Sequence, residues 1–319
     1  MGTSMFRETI DEMLVVKRNS GLQLKYIDYF LNDFDVFCAS HYPKAEILTK
    51  AVAEEWIHAS ESTSHCHMAR RVVTMKHLGE FQRSLGLNAY VPDYSIKVPK
   101  AEEPHLFTDE QLGVFFEAVD TRLEPTDNSP YRDVLYPVFF RLVYCCGLRC
   151  SEACNLRLED VDLQEGSLSV YHSKGEKDRK LFMSDDMREL CISFDRYYQN
   201  VIPKRTYFFQ PDTDRERIMG YEAGKVFNVI LKKSGLNKIP GKKFTLHGLR
   251  HLFAVQNIRK CAKEGEDFYN WMEYLSRYMG HKNIRDTLYY LHITSQLFPV
   301  YKDKLDALEK GIGIAYAEN

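Results

Sequence analysis

The chain has 319 residues, 43 Lys plus Arg against 45 Asp plus Glu, and a formal net charge of −2. That length exceeds what one hydrophobic core commonly serves, so two domains are expected. A hydrophobic share of 44% and an aromatic share of 13% exclude a disordered chain, and the balanced charge excludes a uniformly basic protein without saying where the charge sits.

The longest apolar stretch, Leu135 to Leu148, carries Arg141 and falls short of the about 20 apolar residues of a membrane span. The opening MGTSMFRETIDEM lacks the apolar core of a secretory signal. Phe6 stands where a myristoylation signal after Gly2 needs Ser or Thr. With eight cysteines and no CxxC pair, the expectation is a cytoplasmic protein with free thiols.

In chain order, the first hundred residues read as several helices. Leu24, Ile27, Leu31 and Phe34 follow the helical period, as do Val72, Met75, Leu78 and Leu85 approximately. Thr63 to Leu85 forms one long helix, which carries Arg70, Arg71 and Lys76 with no acid between Ser62 and Gly79. This is either a solvated face or a surface for a polyanion. Asn88 to Pro104 holds Pro92, Pro99 and Pro104 with little periodicity and reads as a linker. The division expected is a helical domain over 1–90, a linker over 91–104 and a second domain over 105–319.

The second domain opens with a capping box, Thr108-Asp-Glu-Gln111, and a helix through about Val119. Tyr131 to Cys146 is an apolar helix that Gly147 can cap, and Pro137 either kinks it or marks its true first turn. Val161–Leu163, Ser167–His172 and Arg179–Met183 read as short strands, with turns at Glu165-Gly166 and Gly175-Glu176. Helices are expected at 185–202, 220–234, 245–263, 268–279 and 283–291. The fold class is mainly α with a small antiparallel sheet (α+β). Cys146, Cys150 and Cys154 recur at four-residue spacing. Zinc binding would need a continuous helix and a fourth ligand; buried small hydrophobes are the alternative.

From Ala223 to Lys263 there is no acid in 41 residues but there are ten basic ones, Lys242, Lys243 and Arg250 among them. The first 100 residues hold 12 basic and 12 acidic residues, so this run sits inside the acidic remainder of the chain. Clustered positive charge suits phosphate backbones, because each neutralised phosphate releases a counterion.

Four short motifs follow one another: Gly147-Leu-Arg-Cys-Ser-Glu152, Ser173-Lys174-Gly175, His247-Gly-Leu-Arg250-His251, and Gly280-His281 with Tyr290 nine residues beyond. Each alone is weak. In this order, within the phrases GLRCSEACNL, HSKGEKDRKL, LHGLRHLFA and MGHKNIRDTLYYLH, they resemble the catalytic domain of the tyrosine recombinase (phage integrase) family. The resemblance covers about Phe107 to Thr294. Residues 1–90 are more weakly similar to the family's helical, SAM-like core-binding domain, which binds DNA.

The resemblance implies a site-specific DNA recombinase that cuts and rejoins DNA through a covalent 3′-phosphotyrosine intermediate and exchanges strands through a Holliday junction. Tyr290, favoured over Tyr289 by the family's spacing, would be the nucleophile, and Tyr289 a packing residue or a DNA contact. Arg149 and Arg250 would hold the nonbridging oxygens, His247 and His281 would donate hydrogen bonds or move protons, and Lys174 would protonate the leaving 5′ oxygen. Glu152 supports a neighbouring group or is an ordinary surface acid. No metal and no cofactor are implied. The partners implied are double-stranded DNA with paired recombination sites and further copies of the chain in a homotetramer on DNA, with no membrane and a nucleoid location. Arg70, Arg71, Lys76, Lys242 and Lys243 are candidates for DNA contact.

Two departures stand out. The Arg250–His281 interval is longer than usual, with acidic Glu264, Glu266 and Asp267, and no arm-binding domain is expected ahead of the core-binding helices, as in Xer-like and transposon-type members. The apolar residues after Phe298 resemble the family's tail, which packs on a neighbouring protomer; packing on its own domain is the alternative. A type IB topoisomerase-like relaxation enzyme and a non-catalytic DNA-binding accessory protein are the competing functions.

Overall fold

The computed structural model describes residues 3–20, 25–59, 64–99, 105–121, 123–124, 130–171, 178–264 and 267–290. The chain divides into two units, Met1–Glu102 and Glu103–Asn319.

The first unit is built from α1 (Arg7–Asn19), α2 (Lys25–His41), α3 (Lys50–His58) and α4 (His65–Ser84). Thr49 and Ser64 start the last two: their hydroxyls accept from the backbone N–H of Val52 and His67, each at 3.3 Å. Phe6, Phe34, Trp56, Met75 and Leu78 fill the core between them. Buried Gln82 stitches the α2–α3 connection to α4, donating to the Glu46 carbonyl at 2.7 Å and accepting from Leu48 N at 2.8 Å.

Ile27, Leu31, Phe34, Val72, Met75 and Leu78 are buried as the period predicts. Leu24 lies outside the described residues. Leu85 is exposed, because α4 ends at Ser84 and the chain turns away from the core face. The stretch after α4 has no regular structure but lies on this unit. Tyr90 N donates to the Leu48 carbonyl at 2.7 Å, and the Tyr90 and Tyr94 hydroxyls donate to the Glu54 carboxylate at 2.9 and 2.8 Å. α4 accommodates this strap through Gly79, where a Cβ would stand 2.2 Å from the Tyr90 carbonyl oxygen.

The second unit runs α5 (Asp109–Asp120), α6 (Arg132–Cys145), α7 (Cys150–Cys154), β1 (Val161–Asp162), β2 (Ser167–Val170), β3 (Arg179–Phe182), α8 (Asp185–Val201), α9 (Gly220–Lys233), α10 (Leu246–Glu264) and α11 (Phe268–Tyr278), with residues 285–290 again helical. The capping box forms as predicted: Thr108 Oγ1 accepts from Gln111 N, and the Gln111 amide oxygen accepts from Thr108 N, both at 3.1 Å. The strands pair antiparallel in the order β1-β2-β3, with Val161 opposite Leu168 and Leu168 opposite Leu181.

Apolar α6 is the hub, packed against α5, α7, α8 and α10, and Phe139 and Phe140 sit among Phe115, Phe209 and Phe227. Pro137 lies inside α6, so it does not mark the first turn. A second, smaller core joins α10 to α11 and takes in Leu288 and Tyr290. Among the described residues no helix is long and apolar enough to cross a membrane.

Gly79→Ala forces a methyl into the Tyr90 carbonyl. It is expected to destabilise the first unit by about 1–3 kcal/mol, read as a lower thermal midpoint followed by fluorescence of Trp56 and Trp271; an unchanged midpoint would mean that the strap simply moves.

Candidate active site

Two helix ends set the site. α6 stops at Cys145, and Gly147 takes the left-handed conformation, φ 60°, while Leu148 N donates back to the Val143 carbonyl at 3.1 Å. α11 stops the same way: Gly280 has φ 62°, Gly280 N donates to the Arg277 carbonyl at 3.0 Å and His281 N to the Ser276 carbonyl at 3.0 Å. Both are Schellman caps, in which a glycine turns the chain sharply out of its helix. The glycines of two motifs are therefore the hinges that deliver Arg149 and His281. Gly147 is fixed by packing too, since a Cβ there would meet the Phe253 ring at 2.4 Å.

Glu152 lies at the centre. Its carboxylate is 5% exposed and accepts from Arg149 N at 2.8 Å and Arg149 Nη1 at 2.7 Å. Arg179, the first residue of β3, takes both oxygens, with Nη1 to Oε1 at 3.0 Å and Nη2 to Oε2 at 2.8 Å. Arg250 Nη1 is 3.7 Å from Oε2. Burial works to raise the carboxyl pKa, but Arg179, by hydrogen bond and charge, then Arg149 N and the Arg250 charge, hold it below the usual range.

The same arginines cap α11. Arg179 Nε donates to the Tyr278 carbonyl at 2.7 Å, Arg250 Nη2 to the Met279 carbonyl at 2.5 Å and Arg149 Nη2 to the Gly280 carbonyl at 2.8 Å. Three successive carbonyls at a helix C-terminus thus face three guanidiniums, the arrangement that unpaired C=O groups and the helix dipole favour. Arg250, only 1% exposed, also donates to the Gly147 carbonyl at 2.6 Å and so ties the two helix ends together. Desolvation and then the Arg149 charge pull its pKa down to about 10, still protonated at neutral pH.

His281 bonds on both sides, Nδ1 to Thr287 Oγ1 at 2.7 Å and Nε2 to Arg250 Nη2 at 3.2 Å. A guanidinium only donates, so Nε2 accepts and the proton sits on Nδ1. Burial, then Arg250 and Arg149, drive the His281 pKa to about 3. His247, exposed in the first turn of α10, is held at about 4 by desolvation on its inner side, then by Arg250 and Arg149.

Tyr290 stacks beside His281, centroids 5.8 Å apart at 21°. Burial pushes its pKa up, opposed by the Arg250 and Arg149 charges. Tyr290 is 3% exposed and Tyr289 41%, so adjacent tyrosines face opposite environments.

Of the residues singled out in the sequence, Arg149, Glu152, His247, Arg250, His281 and Tyr290 therefore converge. Glu152 is buried, which excludes the surface-acid alternative. Lys174 lies outside the described residues, as do the turn at Gly175-Glu176 and the apolar tail. Arg71 is taken up by its own unit: it donates to the Trp56 carbonyl at 2.8 Å and to Asp33 at 3.1 Å and lies 4.8 Å over the Trp56 ring. Its charge is thus paired and stacked within its own unit. Arg70, Lys242 and Lys243 are exposed and Lys76 is half-buried.

The helical alignment that a three-cysteine zinc site needs is broken at Gly147. Cys146 and Cys154 are buried, and Cys150 Sγ lies 3.9 Å from Cys154 Sγ. Among the described residues no group of three or more His, Cys, Asp or Glu could hold a metal ion. Sequence reasoning missed Arg179 and His251. Arg179 read as an ordinary strand opening. His251 follows Arg250 directly, yet its ring lies 4.4 Å from His247 and 5.1 Å from Tyr290, and its buried Nδ1 has no hydrogen-bond partner.

Fixed positive charge gathered around an aromatic hydroxyl defines a class of site, one suited to nucleophilic attack on a phosphodiester. Residues 107–296 match the phage integrase family, and the chain belongs to that family of tyrosine recombinases. It is 27% identical to the tyrosine recombinase XerC of Staphylococcus epidermidis over 96% of this chain and 98% of that one. It is 26% identical to the tyrosine recombinase XerA of Pyrococcus furiosus over 68% and 67%. Its fold is similar to the Tn1549 transposon integrase in complex with transposon right end DNA (TM-score 0.62, 16% identity, 88% of this chain and 94% of that one). It is also similar to a lambda integrase dimer bound to a COC′ core site (TM-score 0.59, 17% identity, 89% and 94%).

Because the folded-state pKa of Glu152 lies below that of the unfolded chain, its stabilisation is present above the unfolded value and is lost as pH falls through the folded one. Glu152→Gln is expected to cost about 3 kcal/mol at pH 7. Thermal melts should show the gap from wild type narrowing once pH drops below the carboxylate range; a gap constant with pH would refute the ionised assignment.

Proposed function

We propose that the chain is a site-specific DNA recombinase in which Tyr290 is the nucleophile. The observation that carries this reading is the placement of Tyr290: its ring lies against His281 and His251 and the Arg250 and Arg149 charges bear on its hydroxyl, inside the charge cluster organised by Glu152. The Tyr290 hydroxyl passes its proton to neutral His281 beside it as its oxygen attacks the scissile phosphorus, the bond from phosphorus to the 5′ oxygen breaks, and DNA remains attached as a 3′-phosphotyrosine ester. Lys174 supplies the proton that the 5′ oxygen takes. Rejoining reverses the step, as a 5′ hydroxyl attacks the ester and releases Tyr290, so no cofactor is required.

Arg149 and Arg250 neutralise the nonbridging oxygens through permanently charged, planar forks. An arriving phosphate competes for the Arg250 N–H now held by His281 Nε2, offsets the arginine charges, and so raises the His281 and His247 pKa values toward the range where both rings can donate. Glu152 orients the two arginines. Two protomers cut one strand of each duplex, exchange strands through a Holliday junction and repeat with the other pair in a homotetramer on paired sites. This work belongs on the nucleoid, in the cytoplasm. Arg70, Arg71, Lys76, Lys242 and Lys243 are candidates to contact DNA, and the tail after Phe298 links protomers.

Tyr290→Phe is expected to abolish covalent protein–DNA adducts on a nicked duplex carrying the chain's recombination site, to be sought as inverted repeats in the DNA flanking its gene, while Tyr289→Phe retains them. Adducts formed by Tyr290→Phe would overturn the assignment. On supercoiled plasmids, products that depend on two sites indicate recombination. Relaxation without paired sites would indicate topoisomerase chemistry, and binding without cleavage an accessory protein. Ending the chain after Lys304 is expected to weaken cooperative gel shifts and leave single-protomer binding intact.

A further inference from the structure

Arg179 has an outlay of interactions that an edge strand does not need. It opens β3, the strand on the edge of a three-stranded sheet, yet its side chain is 7% exposed and turns into the arginine cluster. Every interaction described above is directed there: both oxygens of Glu152, and the Tyr278 carbonyl at the end of α11. Gly280 leaves it room, since a Cβ at Gly280 would stand 2.8 Å from Arg179 Nη1. Burying a guanidinium is costly unless charge and hydrogen bonds repay it, and here both come from Glu152.

The consequence is geometric. Glu152 has two oxygens, and Arg179 engages each of them from one side while Arg149 takes each from another. Remove the Arg179 fork and the carboxylate keeps only the Arg149 donors against rotation about its last torsion, a broad, soft coordinate. Arg149 would then lose the partner that fixes its Nη1. The three carbonyls at the end of α11 would also lose one of three donors, loosening the turn that places His281.

We propose that Arg179 is a positioning residue for the strand-cleavage step, a third arginine that does not itself contact the phosphate but locks Glu152, and through it the Arg149–Arg250 pair and the His281 turn. The proposal rests on the recombinase reading of the site. Arg179 also lies five residues after Lys174 in the chain, so the anchor fixes the strand that follows the segment carrying the general acid.

The test measures single-turnover adduct formation at saturating nicked duplex carrying the recombination site identified for the chain, together with DNA affinity by gel shift and thermal midpoint. Arg179→Gln is expected to slow adduct formation about 100-fold, the scale of a small misplacement of reacting groups, with DNA affinity within about threefold. Arg179→Lys keeps the charge without the fork and is expected to recover about tenfold of that loss. In a Glu152→Gln background, Arg179→Gln is expected to add less than about threefold, because both act through one carboxylate.

Wild-type rate in Arg179→Gln overturns the proposal, as do losses that multiply in the double variant. Equal losses in the Gln and Lys variants that follow a lowered thermal midpoint also overturn it, since they would mark a role in stability alone. Should Arg179→Gln fail to fold, Arg179→Lys decides: slowed cleavage at an unchanged midpoint supports the proposal, and wild-type rate overturns it. Absence of any adduct with the wild-type chain overturns the recombinase reading instead.

Discussion

One buried carboxylate organises the site. Glu152 is surrounded by Arg149, Arg179 and Arg250, and each guanidinium spends another N–H on a carbonyl at the end of α11. A single acid against three bases leaves the cluster short of negative charge. The helix end supplies part of the deficit through the partial charge of its terminal carbonyls, about half an elementary charge over a whole helix. The remainder is what an anion would supply. The residues that hold the site together therefore also define what it lacks, and the fold around it, with two glycine caps and a hub helix, keeps those donors fixed before any ligand arrives.

The histidines follow from that constraint. Surplus positive charge and exclusion of water both disfavour imidazolium, and His281 and His247 are neutral at pH 7, with pKa values of about 3 and 4. His281 spends its Nε2 lone pair on Arg250, so in the unliganded state it is an acceptor. An anion that offset the arginine charges would let it donate, which couples proton inventory to occupancy of the site.

Much of this was legible in the sequence because the decisive signals are local. Glycine caps, the Thr108 capping box and apolar periods in helices depend on neighbours three or four residues away, and each was readable. The site residues were readable as a pattern of types, spread from Arg149 to Tyr290. What was not legible depends on contacts between distant segments. Arg71 looks like a surface cation because nothing nearby in the chain reveals that Trp56 and Asp33 claim it. Arg179 looks like a strand residue because its partners, Glu152 and Tyr278, lie 27 and 99 positions away. Leu85 kept the helical period one residue beyond the point where the helix stops. Periodicity tells which face is apolar, not where that face ends.

Tyr290 belongs to the small core that joins α10 to α11, alongside Met272, Met279 and Leu288. In the nucleophile's role proposed for it, a tyrosine packed in a core has its reactivity tied to local folding. Burying such a ring is worth roughly 2 kcal/mol, so a movement that freed it would leave about one protomer in thirty with the hydroxyl outside at any moment. Unbound protein would then carry few loose nucleophiles. Small changes in packing, far from any charged group, could tune how readily the enzyme attacks.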